Sequence, residues 1–135
     1  MYGPRDTPFD ADGAYGVGPI LTPHLTPTGS RSEAGIATLD AALRAGRPAV
    51  ERELLEAQMR RSLALLLRHQ LRGTPSSPWA HLLVDPQAVD GAMPGSEVDW
   101  QLRIDYVQHT GCALIRWLQR AKHASRATPL KGQPN

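Results

Sequence analysis

Cysteine occurs once in the 135 residues, at Cys112, so no disulfide can form within the chain and nothing covalent offsets a thin core. A reducing compartment suits such a chain. Aromatics are scarce, with three Trp, three Tyr and one Phe, which removes most of the side chains that bury the largest areas. Lysine is nearly absent: two Lys stand against thirteen Arg, and with abundant Ala, Gly and Pro this points to a GC-rich genome, bacterial or phage. No run of about 18 apolar residues occurs, which argues against a membrane-spanning helix and a membrane partner. The N-terminus shows no basic stretch followed by an apolar one, so the expected location is the cytoplasm, or a virion if the chain is phage-encoded.

The length fits one domain. Twelve Gly and twelve Pro dilute the part of the chain that can pack, so the core is smaller than the length suggests. The breakers are concentrated at the start, where residues 1–29 hold Pro4, Pro8, Pro19, Pro23 and Pro27 together with five Gly. Neither a helix nor a central strand is expected there. The expected division is an extended arm over 1–29, a helical domain over 30–126 and a short tail over 127–135. Ile20, Leu21 and Leu25 are apolar residues on that arm, suited to docking on a neighbour.

Three helices follow from periodicity and end signals. Ser30-x-x-Glu33 has capping-box spacing, Ile36, Leu39 and Leu43 form one stripe, Asp40 and Arg44 are a surface i, i+4 pair, and Gly46 is a natural stop. This predicts a first helix over about 31–45. Pro48 suits the opening of a second, over about 48–72, in which Leu55, Met59, Ser62, Leu66 and His69 keep 4-3-4-3 spacing. Leu54, Leu63, Leu65, Leu67 and Leu71 widen its apolar surface. Ser96-x-x-Asp99 signals a third over about 97–124, where Trp100, Ile104, Val107, Gly111, Leu114, Leu118 and Ala121 repeat the 4-3 spacing. Leu102, Tyr106, His109, Ala113 and Trp117 flank that seam. Between the second and third helices, Trp79 to Val84 reads as a single helical turn capping the core.

The expected fold is all-α: a small bundle built on a long α-hairpin of 48–72 and 97–124, with the shorter helix packed across it. Apolar surface in two directions on each long helix leaves an excess over what the third can cover, and such patches mark interfaces. The sequence therefore reads as a non-enzymatic structural or interaction protein, a small helical subunit of a larger or homo-oligomeric assembly. Its partners are other proteins or copies of itself, its interaction residues are Trp100, Ile104, Val107, Gly111, Leu114 and Leu118 plus those of the arm, and no cofactor is implied.

Three other chemistries compete with this reading. Arg116, Arg120, Lys122 and Arg126 form a basic end on the third helix that could contact nucleic acid, as could Arg60, Arg61, Arg68 and Arg72 on the second. Both helices, however, begin with acids, an order that the helix dipole favours in any soluble helix. Asp105, His109 and Cys112 share one helical face and could serve as acid, base and thiol, but no oxyanion or phosphate loop accompanies them. His109 and Cys112 also have metal-ligand spacing, with no telling second pair among His24, His69, His81 or the acids.

Overall fold

The computed structural model describes residues 12–15, 24–74, 80–96 and 99–127, with side chains unassigned at 80 and 124–127. Three helices carry the fold: α1 (Leu25–Arg44), α2 (Ala49–His69) and α3 (Ile104–Ala127). Among the described residues there are no strands, only an isolated antiparallel bridge between Pro94 and Leu102. The architecture is the all-α small bundle expected from the sequence.

The pairing inside it differs from the expectation. The hairpin is formed by α1 and α2, and α3 packs on α1 while touching α2 only lightly. Thr110 lies against Gly29 and Arg120 against Asp40, so α3 runs parallel to α1; the short connection from Arg44 to Ala49 turns α2 back on α1, with Met59 against Gly35, so α2 runs antiparallel to it. The result is an up-down-up bundle with α1 at its centre.

Helix α1 begins at Leu25, six residues before the expected start. Pro27 is its third residue, where its missing N–H is one of the four amides that lack an intrahelical acceptor in any case. The start is held from outside, since Leu25 N–H donates to the Gly95 carbonyl at 2.8 Å. His24 occupies the cap position without a side-chain hydrogen bond. Ser30 is therefore not a cap: its hydroxyl lies inside the helix and donates to the Thr26 carbonyl at 3.2 Å. Gly46 stops α1 as read, at φ 62°, with its N–H on the Leu43 carbonyl and that of Arg47 on the Ala42 carbonyl, the double closure of a Schellman cap.

Small residues let α1 serve as the centre. Leu25, Gly29, Ser32, Ile36 and Leu39 form a buried 4-3-4-3 row, with Thr28 also buried beside it. A Cβ at Gly29 would press on the Thr110 backbone and hydroxyl, and one at Gly35 would run into the Met59 side chain, so both neighbours approach closer than a larger residue would permit. From α2 come Met59, Ser62, Leu66 and His69, the predicted row, joined by Leu63 and Leu65; Leu54 and Leu67 stay exposed.

Of the expected arm, residues 12–15 and 24–29 are among those described, and residues 12–15 lie against the bundle. Ala14 is buried, Gly13 accepts a hydrogen bond from the Ser62 hydroxyl at 3.0 Å, and Tyr15 N–H donates to Thr28 Oγ1 at 3.0 Å. Asp12 pairs with Arg61. At the other connection, Ala80–Leu82 does form a single 3-10 turn, but Leu82 and Val84 are exposed. The capping of the core is done by Leu71 and Met93, drawn in by the Leu71–Ala92 and Gly91–Leu71 backbone hydrogen bonds, both 2.9 Å.

Candidate interaction surface

Helix α3 presents three different faces, and its start decides which is which. The Ser96–Asp99 motif forms locally, Asp99 N–H donating to Ser96 Oγ at 3.0 Å, but it closes a turn instead of opening a helix. The chain then stays extended through Leu102, which bridges to Pro94, and α3 begins only at Ile104. Trp100 and Leu102, both exposed, thus lie outside the helix on which they were placed.

The face toward the core carries Tyr106, Thr110, Ala113 and Trp117, with Ala113 fully buried and Leu114 at the edge. This is the flanking row of the sequence, not its seam. The Thr110 hydroxyl is buried with no hydrogen-bond partner among the described residues, as is that of Ser32 on α1.

The face toward α1 is polar. Arg120 donates to Asp40 at 2.8 Å, which displaces the expected Asp40–Arg44 pair. Glu33 lies 3.3 Å from His109 Nδ1 and 3.5 Å from an Arg116 nitrogen. An open groove of about 780 Å³ follows this seam, with Arg44 and His123 along it. Two of the four candidate nucleic-acid contacts, Arg116 and Arg120, are thus engaged with carboxylates. Lys122 is exposed, and the Arg126 side chain lies outside those described.

The third face holds the rest of the predicted seam on α3, and it faces solvent, whereas Leu114 packs partly against the core. Ile104 is 86% exposed, Leu118 58% and Val107 41%, with Ile115 beside them at 57%. A Cβ at Gly111 would meet nothing within 4 Å, so internal packing gives no reason for a residue that costs about 1 kcal/mol in a helix interior. Where this face turns toward α2, Leu63, Ala64 and Leu67 oppose Leu114, Trp117 and Leu118 across an open groove of about 490 Å³. Arg60, paired with Glu56 at 2.6 Å, stacks 5.6 Å from the Trp117 ring at its edge. Leu25, one of the candidate arm contacts, is buried in the core, while Ile20 and Leu21 lie outside the described residues.

Two of the Asp105, His109 and Cys112 set have partners outside it. Asp105 accepts from Arg103 Nε at 3.0 Å, a hydrogen bond that pushes the Arg103 guanidinium pKa above its ordinary value. His109 faces Glu33 on another helix, and Cys112 is a half-buried free thiol. Among the described residues no three His, Cys, Asp or Glu side chains gather as a metal site requires, and no helix is long and apolar enough to cross a membrane. The fold defines a small up-down-up three-helix bundle. Compared with known families, with curated proteins and with solved structures, the chain matches none.

Proposed function

We propose that this chain is a non-enzymatic helical interaction protein, a small subunit of a larger or homo-oligomeric assembly, which docks protein through the groove between α2 and α3. The observation that supports it is the groove itself: six apolar side chains line it, and the exposed row of Ile104, Val107, Ile115 and Leu118 extends it along α3. Contiguous apolar surface of that kind is a liability on a solitary molecule and ordinary at an interface. Nucleic-acid binding has weaker support, because Arg116 and Arg120 already serve as the ion-pair partners of α1.

Placing a photo-crosslinking amino acid at position 67, on the groove wall, tests the reading in the cell that makes the protein. Irradiation is expected to give discrete protein adducts there and none from position 41, on the exposed face of α1. Absence of adducts at 67, or equal labelling at both positions, overturns the proposal.

A further inference from the structure

The solvent-facing row of α3 reads the same in both directions. Counting from Gly111, Val107 lies four residues before and Ile115 four after, while Ile104 lies seven before and Leu118 seven after, and all four are exposed. An isologous contact needs this property, since each residue i must meet j while j meets i. At the centre stands a glycine whose bare backbone faces open space, so the monomer does not need it, whereas a second helix crossing there would. The ends of α3 differ in charge: Asp105 in the first turn is already paired with Arg103, which leaves Asp99 ahead of the helix, and exposed Lys122 lies near its end.

From these observations we infer that the groove's occupant is a second copy of this chain, its α3 laid antiparallel on the first about a two-fold axis through Gly111. Ile104 then opposes Leu118 of the second copy, and Val107 opposes Ile115. A parallel arrangement would align the two helix dipoles and set Lys122 beside Lys122; the antiparallel one opposes the dipoles favourably and brings Lys122 toward the Asp99 end of the other copy. Leu67 and Ala64 of α2 flank the crossing and add to the buried area. This inference rests on the docking reading above and names its partner.

The row from 104 to 118 is about 21 Å long, at the small end of specific interfaces, so the assay is run on the full chain at about 100 μM. Light scattering is expected to give twice the 14.7 kDa chain mass, and the Leu118→Asp variant to give the monomer mass with an unchanged helix spectrum. In a Cys112→Ser background, mixed Ile104→Cys and Leu118→Cys chains should form disulfide dimers at least about tenfold more readily than either alone. Equivalent positions would sit roughly 21 Å apart, far beyond disulfide reach. Ready self-crosslinking of Ile104→Cys overturns the antiparallel assignment, as does a dimer that survives Leu118→Asp. A monomer at 100 μM overturns self-pairing; adducts at position 67 to a different protein would then leave the docking reading standing, and their absence would remove both.

Discussion

Placing a negative charge at two positions of α3 five residues apart separates the observed orientation of this helix from the one its periodicity suggests. Leu118 is 58% exposed, so Leu118→Asp forfeits only about two fifths of a leucine's burial, on the order of 0.8 kcal/mol. The poorer helix propensity of Asp adds roughly 0.5 kcal/mol. The expected loss is about 1 kcal/mol, a midpoint shift on the order of 4 °C. Ala113 is fully buried among apolar residues of the core, so Ala113→Asp places a charge out of water and should cost at least about 3 kcal/mol. Against a whole-domain stability of order 5–15 kcal/mol that is a large share. Urea unfolding followed by circular dichroism at a few micromolar chain, where association does not contribute, measures both. If Leu118→Asp costs as much as Ala113→Asp, the 4-3 seam faces the core and the assignment of the faces fails.

Two further changes probe the interface between α1 and α3. Ser32→Ala removes a buried hydroxyl with no partner among the described residues and should raise stability by about 1 kcal/mol, seen as a higher melting midpoint; a comparable fall would mean the hydroxyl holds a hydrogen bond. Arg120→Ala deletes the half-buried partner of Asp40 and should cost up to about 1 kcal/mol at low salt and less at 1 M NaCl, and a salt-independent loss would assign its role to packing instead.

What could be read along the chain was the local periodicity, and what could not was the choice among faces. The α2 row from Leu55 to His69 was legible because leucines and methionine mark it heavily, and its four positions from Met59 onward are buried. Gly46 was legible because a positive φ after a helix is a local requirement. The start of α1 was hidden by Pro27, whose effect depends on being in the first turn, and by an anchor 70 residues away, the Gly95 carbonyl. On α3 two adjacent rows compete, and the more apolar one was chosen as the core row. Thr110 turns inward because α1 offers it Gly29, a contact no single-helix pattern encodes, and Ala113 lies on the same buried face. The polar half of the surface was missed for the same reason: Glu33 with His109 and Asp40 with Arg120 are separated by 76 and 80 residues.

The same close approach accounts for the exposed groove. A central helix with Gly29, Ser32 and Gly35 on its contact faces draws α2 and α3 in by small side chains, and the two meet each other only lightly. Each flanking helix buries a row, Met59, Ser62 and Leu66 on α2 and Thr110 and Ala113 on α3, with Met59 and Thr110 set against the glycines of α1. The leucine surplus of both is left on the side away from it. Had α1 carried leucines in place of its glycines, the flanking helices would stand farther out and their large side chains would be needed inside. Small residues at the centre and large ones at the groove are thus two consequences of one packing arrangement. It follows that substitutions enlarging α1, such as Gly29→Leu, should disturb the groove as well as the core.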